Sequence, residues 1–136
     1  MIKIIPIESG DVIICNWNAV GHMAGWIDTL FKISKNLKDC GALTALVLDQ
    51  NNNIYVHGMA ISSKVHCPFS YAMGEKFFGQ YAGTREVEAT HFICGIIKKG
   101  LLAKMKLPEN LGDNPFADAD FCLEAQKLGF KIYATT

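Results

Sequence analysis

Hydrophobic and polar residues fall in blocks along this chain, and the spacing inside each block predicts an element. Ile2-Lys-Ile-Ile is strand-like, and residues 8–11 read as a turn. Val12-Ile-Ile-Cys15 is an unbroken apolar run, the pattern of a strand covered on both faces of a parallel or mixed sheet, and it stops abruptly at polar Asn16-Trp-Asn18. Met23, Trp26, Ile27, Leu30, Ile33 and Leu37 recur at helical spacing and predict a helix over residues 22–38. Residues 42–48 read as a buried strand, 49–53 as a turn, and 54–61 as the returning strand of a β-hairpin. In that strand His57 falls on the same side as Tyr55 and Met59, the setting of a structural histidine with its hydrogen bonds satisfied.

Residues 62–84 carry no clear period. Pro68, Gly74, Gly79 and Gly83 are mixed there with Phe69, Tyr71, Phe77, Phe78 and Tyr81, a composition that suits a loop stacking on a sugar or packing over the core. Residues 87–94 predict a strand, 95–105 a short helix weakened by Gly100, and 107–113 a loop. The last block, Asn114 through Ala134, predicts a loop, a short amphipathic helix with Asp118 and Asp120 on its first turn, and a strand. Phe121, Cys122, Leu123, Ala125 and Leu128 include the spacings of one buried helical face, whereas Glu124, Gln126 and Lys127 fall on the wet side. Pro115 bars helix at Asn114, Gly129 sits where a left-handed cap belongs, and Phe130-Lys-Ile-Tyr-Ala alternates inward and outward. With no repeat, low-complexity tract or linker, the pattern predicts one α/β domain, a mixed sheet flanked by helices.

Half of the 136 residues are hydrophobic, enough for a core of that kind. Thirteen basic and thirteen acidic residues cancel, and no basic stripe appears, which argues against a nucleic-acid partner. No apolar run is long enough to span a bilayer, and the first residues lack the layout of a signal peptide, so a cytoplasmic location is expected. Cys15, Cys40, Cys67, Cys94 and Cys122 form no C-x-x-C pair, and His22, His57, His66 and His91 share no ligand spacing. Free thiols are expected rather than zinc, and a small thiol or metal enzyme ranks last among the readings.

Two places carry candidate chemistry. The polar end of the first buried strand, at Asn16 and Asn18, lies where ligands of open α/β sheets gather. At the last helix, Asp118 and Asp120 admit two readings. As a cap and a complement to the macrodipole they stabilise the helix, the cap by about 0.5–2 kcal/mol. As a carboxylate over the end of a sheet, Asp118 serves as a general base. Residue type alone favours the cap, just as it favours Trp26 as a core anchor of its helix.

The run Phe116-Ala-Asp-Ala-Asp-Phe-Cys-Leu-Glu-Ala-Gln-Lys-Leu-Gly-Phe-Lys-Ile resembles the acidic catalytic segment of family-2-like glycosyltransferases, Glu-Asp-x-Asp opening a helix that ends in a Gly-aromatic-Lys/Arg strand. The likeness extends to Gly10-Asp-Val-Ile-Ile-Cys-Asn-Trp-Asn, to Gly25-Trp-Ile-Asp-Thr-Leu, to residues 41–58 closing on His57-Gly58, and to Arg85-Glu-Val-Glu-Ala-Thr-His-Phe-Ile-Cys-Gly-Ile-Ile-Lys-Lys. The resemblance implies part of a GT-A fold, with a single, apparently truncated domain over residues 1–136 that covers the acceptor side.

It also implies an inverting transfer of a sugar from a nucleotide-sugar donor to an acceptor hydroxyl. Asp118 would then take the hydroxyl proton, Asp120, Trp26 and His91 would bind substrate, and Asn16 and Asn18 would lie near the diphosphate, with Asn18 the candidate metal ligand for Mn²⁺ or Mg²⁺. Two departures weaken the chemistry. Ala117 stands where the family has glutamate, and Asn16 and Asn18 bring amide oxygens without the charge a hard cation favours. The alternative is a non-catalytic remnant that binds a saccharide or a protein, and in either case a homo-oligomer or partner chain is expected. With Asp118 as the base, this reading expects Asn16–Asn18 and Asp118 to open onto one shared cleft.

Overall fold

A computed structural model describes residues 2–16 and 25–136. Its strands are β1 (Ile2–Pro6), β2 (Val12–Asn16), β3 (Cys40–Ala45), β4 (Val47–Leu48), β5 (Ile54–Val56), β6 (Met59–Ile61), β7 (Pro68–Ser70), β8 (Thr84–Val87), β9 (Cys94–Ile97) and β10 (Lys131–Thr135). Its helices are α1 (Trp26–Lys35), α2 (Lys99–Leu102) and α3 (Pro115–Lys127). The fold is mixed α/β: a six-stranded sheet in the order β1-β2-β9-β3-β10-β8, with the small pairs β4-β5 and β6-β7 beside it.

Strand β9 runs antiparallel between β2 and β3, β10 runs parallel to β3, and β8 closes the sheet antiparallel to β10. The carboxyl ends of β2, β3 and β10 therefore share one edge with the starts of β8 and β9. Register builds the core in rows. Ile13, Ile96, Leu43 and Tyr133 are consecutive cross-strand partners, and all four pack with Leu30 of α1 on one face. The next residues, Ile14, Ala42, Ile97, Ile132 and Ala134, point to the other face, under Phe121, Cys122 and Ala125 of α3 and Leu101 of α2. Each such large side chain contributes about 1.5–3 kcal/mol on full burial.

This two-sided burial revises several expectations. β10 does not alternate: Ile132, Tyr133, Ala134 and Thr135 are all buried, because the strand is covered on both faces. The strand expected at 87–94 divides. β8 ends at Val87, and the chain turns through Phe92 and Ile93 before Cys94–Ile97 enters the sheet. Residues 95–97 are strand where the pattern predicts the start of a helix, since a short apolar run does not distinguish a buried strand from a buried helix. The true helix there is only α2. The stretch 42–48 also breaks, with Leu46 leaving the sheet as its N–H bonds Thr135 at 2.8 Å.

The expected 54–61 strand is interrupted at His57-Gly58. Gly58 has φ +79, which turns the chain so that exposed Tyr55 and buried Met59 no longer share a side. In α3 the exposed Leu123 and Leu128 leave the predicted buried face to Ala119, Phe121, Cys122 and Ala125. The helix ends as anticipated: Gly129 N–H bonds Gln126 and Phe130 N–H bonds Ala125, a Schellman closure with Gly129 at φ +92.

Candidate functional site

The start of α3 is built by Asn114 and Pro115 rather than by Asp118. Asn114 is extended, its side-chain oxygen accepts the Phe116 N–H at 2.9 Å, and Pro115 occupies the first turn, where its missing N–H costs nothing. Asp118 is thereby freed from capping and lies one turn in. Its carboxylate is fully buried and takes three donors: Gly112 N–H on Oδ1 at 2.7 Å, Phe92 N–H on Oδ2 at 2.8 Å, and His91 Nδ1 on Oδ2 at 2.6 Å. With two backbone donors already on the carboxylate, Nδ1 carries the ring proton towards it, and Nε2 is left as the acceptor nitrogen of His91. His91 itself is buried at 7% exposure, one step nearer the surface than Asp118 at 0%.

The polar end of β2 reaches the same segment from the other side. Asn16 N–H donates to the Ile93 carbonyl at 2.7 Å, two residues from His91. Asn16 and Asp118 thus grip one short turn, His91–Phe92–Ile93, at the carboxyl edge of the sheet. They do not face each other across an open cleft, because Asp118 is sealed beneath that turn. This corrects the expectation that Asp118 meets an acceptor hydroxyl directly. Asn18 lies outside the described residues.

Asp120 is exposed on the next face of α3 and takes no part in the His91–Asp118 contact. Trp26 opens α1 and packs with the Ile13, Leu43 and Ile96 cluster, on the face of the sheet opposite Asp118. Among the described residues, no group of three or more His, Cys, Asp or Glu side chains is placed to hold a metal ion. None of their helices is long and apolar enough to cross a membrane.

A second polar group was not legible as a site. His57 is 1% exposed and neither ring nitrogen has a hydrogen-bond partner, against the expectation of a satisfied structural histidine. His57 stands at the interruption beside Gly58, off any regular strand position. Burial, helped by the Arg85 guanidinium, holds its pKa below the usual histidine range. A buried polar group without a partner costs about 1–3 kcal/mol. The ring lines a cavity of about 390 Å³ with Tyr71, Ala72, Glu75, Tyr81 and Arg85. The sequence signal for it was the aromatic-rich, aperiodic stretch 62–84, which supplies most of the lining.

Comparison with protein-family models, curated proteins and solved structures finds no match to this chain.

Proposed function

We propose that this chain is a glycosyltransferase-like domain of GT-A type, acting at the carboxyl edge of its sheet on a nucleotide-sugar and a saccharide acceptor. The observation that carries the reading is the 2.6 Å contact between His91 and Asp118, on a turn that Asn16 also holds. A histidine fixed by a buried carboxylate is a general base of ordinary design. In this scheme His91 Nε2 accepts the acceptor hydroxyl proton while Asp118 orients the ring and stabilises the imidazolium. The acceptor oxygen bonds to the anomeric carbon as its bond to the diphosphate oxygen breaks, and the nucleoside diphosphate departs with the electron pair.

A divalent cation near Asn16 and Asn18 belongs to the same proposal. The described residues do not by themselves fit it, since Asn16 offers only a neutral amide oxygen, and the steps above use protein groups alone. Association with a second copy or a partner chain is also part of the proposal, supported by edge strand β1, where Ile4 and Ile5 are 51% and 39% exposed. Sedimentation velocity of the purified protein checks it.

The test is a panel of nucleotide-sugars and simple glycoside acceptors, with and without Mn²⁺, read by calorimetry and by release of nucleoside diphosphate. Turnover that falls at least a hundredfold in His91→Ala supports the proposal, and no heat with any donor overturns it. One observation favours the alternative of a non-catalytic saccharide-binding module: all three donors to Asp118 come from the chain itself, a complete structural role. Saccharide binding without release of nucleoside diphosphate selects that reading.

A further inference from the structure

Among the described residues, His57 is the buried ring whose nitrogens have nothing to bond, and it lines a cavity rather than the packed core. The groups around it restrict what would satisfy it. Arg85 and Glu75 bring one charge of each sign, so the cavity has no net preference for an ion. The Arg85 guanidinium is already engaged, with Nη2 donating to the His57 carbonyl at 2.6 Å and the group stacked 4.3 Å from the Tyr71 ring centre. Glu75 accepts the Tyr81 hydroxyl on Oε2 at 2.7 Å and has a second oxygen to offer. The imidazole is held neutral by its burial and by Arg85, so it presents one donor and one acceptor.

A neutral donor–acceptor pair beside a carboxylate oxygen matches hydroxyl groups, each of which both donates and accepts. An aromatic wall completes the match. The Tyr81 ring lies 5.8 Å from the His57 ring, tilted by 38°, and is 46% exposed on a turn where Tyr81 itself has φ +64. Both imidazole nitrogens are buried, so a ligand reaches them by moving a neighbouring ring, and Tyr81 is the exposed one beside them. The volume sits at the lower end of small-molecule pockets, about 300–1,000 Å³.

We propose that this cavity binds one neutral sugar residue, with ring hydroxyls bonded to the His57 nitrogens and the Glu75 carboxylate and one sugar face against Tyr81. The inference rests on the glycosyltransferase reading only for the choice of a saccharide among hydroxylated ligands. It holds whether or not transfer occurs.

The experiment titrates the full chain, with no nucleotide present, against the methyl glycosides of glucose, galactose, N-acetylglucosamine and rhamnose, and separately against inorganic phosphate. The readout is the ¹⁵N shift of the His57 ring nitrogens and the dissociation constant. The expected result is that at least one glycoside moves the His57 signals, that His57→Phe weakens it tenfold or more, and that Lys127→Ala, an exposed change on α3, leaves it unchanged. Glu75→Gln, a surface change that does not threaten folding, weakens the same glycoside at least threefold and stands in if His57→Phe fails to fold. Silence from every glycoside, equal binding by these variants, or a response to phosphate instead overturns the proposal. Glycoside binding that depends on His57 in a protein without transfer activity upholds this inference while the transferase reading fails.

Discussion

Asp11 and Lys98 lie 87 residues apart in sequence and meet in an ion pair of 2.7 Å. Asp11 is 2% exposed and also accepts the Lys99 N–H at 2.7 Å and the Ser9 hydroxyl at 2.8 Å. Lys98 in turn donates to Ser34 Oγ at 2.9 Å and sits 5.0 Å over the Phe31 ring. One buried carboxylate thus ties the β1–β2 turn to the exit of β9, and its lysine ties both to α1. Lys98→Met should cost about 3–5 kcal/mol, because it strands a buried charge, and urea unfolding measures it. Replacing both partners with apolar residues should cost less than the single change.

The same group sets part of the acid response. Burial raises the Asp11 pKa, but the hydrogen bonds from Lys98, the Lys99 amide and Ser9 outweigh it and hold the net value below the ordinary 3.8. A carboxylate depressed in the folded state contributes stability that is fully present above its unfolded pKa and is lost as pH falls through the folded one. Asp11→Asn should therefore be less stable than the native protein at pH 7, with the difference shrinking below about pH 4. Urea midpoints across that range decide it.

Asp118→Ala should be severely destabilising whatever the protein's activity. It leaves the Phe92 and Gly112 amides buried without an acceptor, each costing about 1–3 kcal/mol. Asp118→Asn, which retains one acceptor oxygen, should lose less. Thermal melts of both variants check this, and a melting temperature unchanged in Asp118→Ala would refute the buried placement.

Gly58→Ala should lower stability by about 1–3 kcal/mol, since the residue has φ +79 and an added Cβ would lie 2.8 Å from Val87 Cγ1. Because Gly58 sets the position of its neighbour, the variant should also disturb the His57 ring signals. Denaturant unfolding and histidine ¹⁵N spectra test the two parts together.

Thiol reactivity should sort by burial. Desolvation pushes Cys40 up to about 11 and Cys94 and Cys122 up to about 12, which leaves little thiolate at pH 8. Half-buried Cys67, on the irregular stretch before β7, should be alkylated by iodoacetamide first and Cys122 last. Peptide mass spectrometry of the native protein at short times gives the order.

The legible part of the fold was local. The helical spacing of Trp26, Ile27, Leu30 and Ile33, the apolar run of β2, and the Gly129 stop before a final strand each depend on residues within a turn or two, and each sits where the pattern put it. Residues 95–97 read as helix because a short apolar run buried on both faces keeps no alternation to mark it as strand. The candidate site was legible in its residue types and not in their roles. Asp118 is singled out only by the family resemblance, since its residue type alone points to a helix cap. That it would be sealed under Phe92 and Gly112 and bonded to His91 follows from contacts as far as 27 residues away. Sequence alone determined the elements whose signals are local, namely α1, β2 and the Gly129 close of α3. Tertiary structure decided which buried polar atoms found partners, because a hydrogen bond is satisfied by whatever the topology brings within 3 Å, and no local pattern encodes that neighbour.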